Sequence, residues 1–301
     1  MFAKAIVTTL LYHDIFDYPL KKEEIYRFLC LKTDSEIQSY LDALEKRKKI
    51  FQRKGFYFLP KRDKIILFRK KRGVYSSQKM KIAKTVAGYL GLIPWIKMIA
   101  VTGGLAMNNA KKDDDIDFLI ATETNRLWLT RILAILILEI LRKRRRPKQK
   151  EIKDKICLNL FLDDKALNFS EKERNLFIAH EICQLRPILD YQQTYEKFLA
   201  LNQWTTDFLP NTTIKPPVSK TIKNKLPRVN SPWYSNRFKN KKKPKPWKIF
   251  DFIERVTYQL QLGYMSSKRT GEKVSPHFAF FHPNNQRNLI LGEYKKRIAK
   301  L

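Results

Sequence analysis

The spacing of apolar residues changes period several times along the chain, and each change predicts an element. From Lys4 to Asp14 the apolar positions follow a helical repeat, and a turn around Asp17-Tyr18-Pro19 ends it. Lys21 to Leu29 carries the pattern of a second short helix. Thr33 with Glu36 reads as a capping box, after which Ile37, Tyr40, Leu41 and Leu44 recur on one helical face. Phe51 to Leu59 reads as two aromatic-rich strands joined by a hairpin turn at Lys54-Gly55. Lys61 to Pro94 is mainly helical and basic in its first half (Arg62, Lys64, Arg69, Lys70, Lys71, Arg72), and Pro94-Trp95 closes it.

A short apolar run (Ile96, Met98, Ile99, Ala100) then reaches Gly103 and Gly104, passes through small and polar residues, and meets Asp115-Ile116-Asp117 and a second apolar run, Phe118 to Ala121. This predicts two buried strands with a turn and a short helix between them. Leu127 to Leu141 is shorter than a bilayer span and is broken by Arg131 and Glu139, so it reads as a buried helix over the sheet, not a membrane segment. The basic run that follows, Arg142 to Arg146, is expected to stay exposed, within reach of lipid or RNA phosphates. A third strand is predicted over Ile156 to Leu162, a helix from a second capping box (Ser170 with Glu173) through Cys183, and another helix from about Asp190 to Phe208. Pro210 to Trp247 is rich in proline and lysine and reads as an extended basic arm. Ile249 to Met265 predicts an amphipathic helix with Ile249, Phe252, Ile253, Val256 and Leu260 on its apolar face, ahead of a short aromatic strand, His277 to Phe281. These divisions give a small domain over 1–60, a basic helical connector over 61–95, a core over 96–209, the arm over 210–247, and a C-terminal helix and strand over 248–301 packing on the core.

Composition adds a partner. The chain has 301 residues and a formal net charge of +32, with a pI near 10.0. Such an excess of cation suits nucleic acid first and an anionic surface next, while a general lysine bias is the plain alternative. Arg47, Lys48, Arg53 and Lys54 would meet phosphates from the first domain, and Lys241, Lys242 and Lys243 from the arm, where interleaved aromatics suit single strands. No secretory signal opens the sequence. Cys30, Cys157 and Cys183 read as reduced core residues, which implies a reducing, cytoplasmic location.

Asp115 and Asp117 lie two apart on a strand and therefore face the same way. Two carboxylates side by side repel, and a divalent cation relieves the conflict; Mg²⁺ is commonly held by carboxylates together with substrate phosphates. Gly103 and Gly104 let the backbone approach a phosphate, with Lys111 or Lys112 adding charge. The bland alternative is an acidic surface turn ahead of an ordinary strand, which leaves Asp117 an unexplained charge inside an apolar run.

At these residues the sequence resembles the DNA polymerase β-like nucleotidyltransferase superfamily, whose pattern is a strand, Gly-Ser or Gly-Gly, about ten residues, then acidic-hydrophobic-acidic on the next strand. The spacing is similar to the minimal nucleotidyltransferases and covers roughly the middle third of the chain. The resemblance implies a mixed sheet with covering helices, Mg²⁺ or Mn²⁺ held by Asp115 and Asp117, an NTP as substrate, and transfer of a nucleoside monophosphate to an acceptor, expected to be nucleic acid (RNA). It also implies a third acidic residue on the third strand, where this chain has Asn159, with Asp163 and Asp164 past the strand end. An amide oxygen can ligate a cation but cannot act as a base, so the resemblance leaves an inactive relative open. The first sixty residues resemble the winged helix-turn-helix superfamily by pattern, which implies an α/β protein with a winged helix before the core. The alternative function is a DNA- or RNA-binding regulator without chemistry. His180-Glu181 lacks the second histidine of a zinc-protease helix, Gln184 standing in its place, and His277 and His282 read as structural.

Overall fold

The structure, a computed structural model, describes residues 1–34, 36–147, 149–212, 247–266, 272–281 and 285–301. Most of the proline- and lysine-rich arm, with Lys241, Lys242 and Lys243, lies outside the described residues, as does His282. The chain opens with helices α1 (Phe2–Asp14), α2 (Lys22–Phe28) and α3 (Gln38–Lys46), followed by a hairpin of β1 (Phe51–Arg53) and β2 (Phe56–Phe58). Lys54 and Gly55 at its tip have φ of 55° and 78°, the left-handed backbone that a two-residue hairpin loop needs. Ile6, Leu10, Ile25, Leu41 and Ile50 form the core of this unit. The expected capping box at Thr33 and Glu36 is not made: α3 starts behind Ile37 without a side-chain cap. Thr33 N–H instead donates to Asn211 Oδ1 (3.0 Å), and Glu36 pairs with Lys22.

Helix α4 (Ile65–Leu90) leads into a sheet built from β3 (Ile96–Val101), β4 (Ile116–Thr122), β5 (Ile156–Asp163), β6 (Arg186–Asp190), β7 (Lys273–Ser275) and β8 (Phe278–Phe280). Its spatial order is β6-β3-β4-β5-β8-β7, antiparallel throughout except for the parallel β4–β5 pair. Val101 pairs with Phe118, which sets the two central strands side by side around the short helix α5 (Gly103–Ala106). The protein is thus mixed α/β. Alternation along β4 splits the core in two. Ile116, Phe118 and Ile120 face α4 and α6 (Leu127–Ile140), whereas Leu119 and Ala121 face α7 (Leu176–Gln184) and α8 (Thr194–Leu201).

Several sequence expectations need correction. The segment expected to be one helix from Asp190 to Phe208 begins after the edge strand β6, which pairs with β3. Pro187 is tolerated in that strand because an edge leaves one side of the ladder unpaired. Ser170 and Glu173 bracket a single 3₁₀ turn, and α7 is capped by Asn175, whose Oδ1 accepts from Ile178 N–H (3.1 Å). The last helices are α9 (Trp247–Ser266) and α10 (Asn285–Ile298), the latter unanticipated. On α9 the apolar stripe Ile249, Phe252, Val256 and Leu260 points outward, and the docking side carries Glu254, Thr257 and Gln261. That side makes both a cap and apolar contacts: the Glu254 carboxylate accepts from Trp128 N–H (2.7 Å) and Leu129 N–H (2.8 Å) at the open end of α6, and Phe250 and Tyr258 pack against Trp95 and Trp128. On α6 itself Leu136 and Ile140 are exposed, and Cys30 is exposed too. Among the described residues no helix is long and apolar enough to cross a membrane.

Candidate functional site

Asp115 and Asp117 enter the same wall of a cavity of about 630 Å³ that lies between the N-terminal helices, α5, the sheet and α7. Local structure fixes them there. Lys79, almost wholly buried, donates to the Asp114 carbonyl (2.7 Å) and pairs with Asp154 (2.7 Å), while Ile116 N–H donates to the Lys155 carbonyl. Thr102 N–H donates to the Asp117 carbonyl (3.1 Å), which closes the turn from β3 into α5 directly over the second aspartate. Gly103 has φ of 59°, and a Cβ built on it would sit 3.4 Å from Asp117 Oδ2. Gly103→Ala should therefore cost about 1–2 kcal/mol in backbone strain and crowd the aspartate. Gly104 lies outside the left-handed region with only ordinary contacts around it, so Gly104→Ala should cost less. Thermal unfolding of the two variants side by side checks this ordering.

The third strand supplies a different neighbour from the one expected. In the parallel ladder Asp117 lies opposite Cys157, and the side-chain ligand atoms of Asp115, Asp117 and Cys157 all lie within 4.8 Å of one another. Asn159 sits where the ladder skips from Phe118–Leu158 to Leu119–Leu160, a bulge that turns both Asn159 and Leu160 toward the cavity. Its Oδ1 is buried without a partner, as is the hydroxyl of Thr102, which also lines the cavity. Asp163 and Asp164 are not in the cavity. Asp163 is fully buried, bonded to His277 Nδ1 (2.7 Å) and to the N–H groups of Asn125 and Lys165, and Asp164 pairs with Lys97.

Two further groups complete the chemistry, and sequence reasoning missed both. Arg145 belongs to the basic run expected to be exposed. Its backbone N–H bonds the Ile156 carbonyl (3.0 Å), which aims the guanidinium inward onto Asp115 Oδ2 (2.6 Å) and within 3.5 Å of Cys157 Sγ. Its neighbours Arg144 and Arg146 turn away to share Glu139. Glu181 reaches the cavity from α7. Burial pushes its carboxyl up to about 7, and the Gly103 N–H beside it pulls the other way. Asp117 is also pushed up to about 7, first by burial and then by the charge of Asp115, with Cys157 and Arg145 opposing. Burial, and then the charges of Asp117 and Asp115, hold the Cys157 thiol well above its ordinary range. The signal for Glu181 was there to find: it is an acid within the apolar helix Leu176–Gln184, away from any surface partner.

Of the other expected site residues, Lys111 lines the cavity rim and its N–H bonds Asp114 Oδ2 (2.7 Å), whereas Lys112 is exposed and outside the lining. Arg47, Lys48, Arg53 and Lys54 are exposed at the end of α3 and on the hairpin, remote in sequence and fold from the acids. Comparison with family models, with curated proteins and with solved structures finds no match to this chain.

Proposed function

We propose that the chain is a nucleotidyltransferase of the DNA polymerase β-like type, which binds an NTP with a divalent cation and transfers its nucleoside monophosphate to an acceptor, most simply RNA. The observation that carries this reading is the strand–glycine pair–helix–strand unit whose glycine turn lies directly against the second of two aspartates in one cavity. The residues suit a cation on their own chemistry. Two acids and a thiol converge, Asp117 resists ionising without a counter-charge, and two buried oxygens beside them lack partners. Asp115 and Asp117 would hold Mg²⁺ or Mn²⁺, which supplies charge neutralisation for the phosphates and for the oxygens exchanged at phosphorus. The glycine turn would let the backbone approach the phosphates, with Gly104 and the residues after it open to them while the Gly103 N–H lies beside Glu181, and Lys111 would add positive charge at the rim. A cavity of about 630 Å³ is ample for a nucleotide. Glu181 stands in the place of the acid that Asn159 does not provide, as the group able to take a proton from an attacking hydroxyl.

Titrating each NTP, as its non-hydrolysable α,β-methylene analogue with Mg²⁺ or Mn²⁺, into the protein tests the reading. Metal-dependent binding is expected for the wild type, and Asp115→Asn or Asp117→Asn should weaken it at least ~100-fold, about 2.7 kcal/mol, with the fold retained. Failure of the wild type to bind any NTP, or unchanged binding by both variants, would overturn it. A second reading has its own observation, the exposed cations Arg47, Lys48, Arg53 and Lys54 on a three-helix and hairpin unit of winged-helix pattern, in a chain of net charge +32. It predicts nucleic-acid binding that falls steeply with salt and is indifferent to Asp115→Asn.

A further inference from the structure

The carboxylate pair and the thiol beside it have different tastes in metal. Oxygen donors suit Mg²⁺ and Mn²⁺, while a thiolate selects softer ions, with Zn²⁺ and Co²⁺ well accommodated by mixed sulfur and oxygen sets. We propose that Cys157 is a metal ligand together with Asp115 and Asp117, so that the site takes a thiophilic divalent cation in preference to Mg²⁺. This inference rests on the nucleotide-site reading and names the ion that this site would hold.

Three observations carry it. The first is proximity by construction. Asp117 and Cys157 are directly paired across the parallel β4–β5 ladder, and one ligand atom from each of Asp115, Asp117 and Cys157 lies within 4.8 Å of the others. Metal–oxygen and metal–sulfur bonds of roughly 2.0–2.3 Å at tetrahedral angles put ligand atoms about 3.5 Å apart, so side-chain rotations that draw the three atoms together by about 1 Å suffice. The second is unmet demand around the cluster. Thr102 is only 7% exposed, its hydroxyl makes no bond although it sits at the N-cap of α5, and it lines the same cavity; Asn159 Oδ1, in the same lining, is buried and equally unpartnered. Buried oxygens without partners are uncommon, and water carried by a bound ion would satisfy both. The third is that positive charge is already drawn to the point between oxygen and sulfur. Arg145 Nη1 contacts Asp115 Oδ2 at 2.6 Å and Cys157 Sγ at 3.5 Å. Its side chain is 31% exposed and comes from a loop, so an incoming ion can displace it toward solvent without disturbing the sheet.

The test is spectroscopic and needs neither acceptor nor turnover. The full chain, stripped of metal with chelator, is titrated with Co²⁺. A cobalt–thiolate bond gives an intense near-ultraviolet charge-transfer band, whereas oxygen ligands alone give only weak visible bands. The expected result is a near-ultraviolet band that saturates at one equivalent. Cys157→Ser should abolish it while the visible bands remain, and Asp115→Asn should weaken both. Zn²⁺ should displace the Co²⁺ at concentrations at least ~100-fold below those at which Mg²⁺ does. Visible bands without the near-ultraviolet band in the wild type would mean that the carboxylates hold the ion alone; the thiol ligand is then wrong and the nucleotide site stands. A band that persists in Cys157→Ser would place the sulfur at Cys30 or Cys183 and overturn the proposal as well. No Co²⁺ binding at all, with Arg145 keeping its place, would overturn both the ligand set and the metal-dependent reading.

Discussion

Asn202→Ala is expected to destabilise the protein by roughly 3–6 kcal/mol, the largest effect of any single polar substitution considered. Asn202 is fully buried just after α8, and its amide makes every bond available to it. Oδ1 accepts from Phe169 N–H (3.0 Å) and Trp204 Nε1–H (3.0 Å), and Nδ2 donates to the carbonyls of Leu167 (2.7 Å) and Phe198 (2.8 Å). Truncation strands the Phe169 and Trp204 donors and the Leu167 acceptor in a space that water does not reach, and each such group costs about 1–3 kcal/mol. Asn202→Asp keeps the shape yet should do nearly as much damage, because it sets a carboxylate oxygen against two carbonyls. The consequence extends to the candidate site, since Phe169 and Phe198 form part of its back wall. Urea unfolding at neutral pH reads the loss directly. A cost below about 1 kcal/mol for Asn202→Ala would mean that a water replaces the amide and the segment is looser than its bonding indicates.

The central unit was legible because its punctuation is strong. Glycines at 103 and 104, aspartates at 115 and 117, and apolar runs on either side dictate strand, turn, helix and strand, and Val101 does pair with Phe118. What stayed hidden depends on partners distant in sequence. The outward stripe of α9 accompanies a docking side on which Glu254 caps α6 while Phe250 and Tyr258 pack on the core. Edge strand β6 carries an exposed Arg186 and a proline, and only its pairing with β3 makes it a strand. At the site, the register that sets Cys157 opposite Asp117 comes from pairing with a strand distant in sequence, and no local pattern announces the bulge after Leu158 that turns Asn159 and Leu160 to the cavity. Arg145 was one cation in a basic run, and its inward turn comes from a backbone bond to Ile156. Charge was misleading in a further way. Arg62, Arg69 and Arg72, read as part of a basic connector, are taken up by Asp14, Asp17 and Glu24 of the N-terminal unit.

Between pH 5 and 7, Glu181→Gln and His180→Phe should move the stability of the metal-free protein in opposite directions. His13 and His180 are buried together with their rings 5.1 Å apart, and His180 stacks on Tyr12 at 4.1 Å. The Gln184 amide donates to His180 Nδ1 (3.3 Å), which suits a neutral ring, whereas His13 Nδ1–H donates to the Thr9 carbonyl (2.9 Å), a bond that favours protonation and is outweighed by burial. Burial lowers His13 to about 4, and burial with the nearby charges of His13 and Arg27 takes His180 well below its ordinary value. A depressed histidine contributes stability that is complete above the unfolded value near 6.5 and is lost as pH falls toward the folded value, at about 1.4 kcal/mol per pH unit and per group. Glu181 and Asp117 have the opposite sign. Both are raised to about 7, so their stability is complete below the unfolded value near 4 and is lost as pH rises through 7. In the wild type these two pairs offset each other. Glu181→Gln removes one opposing group, so the variant should gain roughly 2 kcal/mol on the wild type between pH 5 and 7. His180→Phe keeps the stack on Tyr12 but cannot protonate, so it should gain about as much in going from pH 7 to pH 5. Urea denaturation of the three proteins at pH 5, 6 and 7, with chelator present, measures the slopes. Curves that run parallel would mean that Glu181 and His180 are solvated in the folded protein, and the cavity wall between α1 and α7 would have to be open to water.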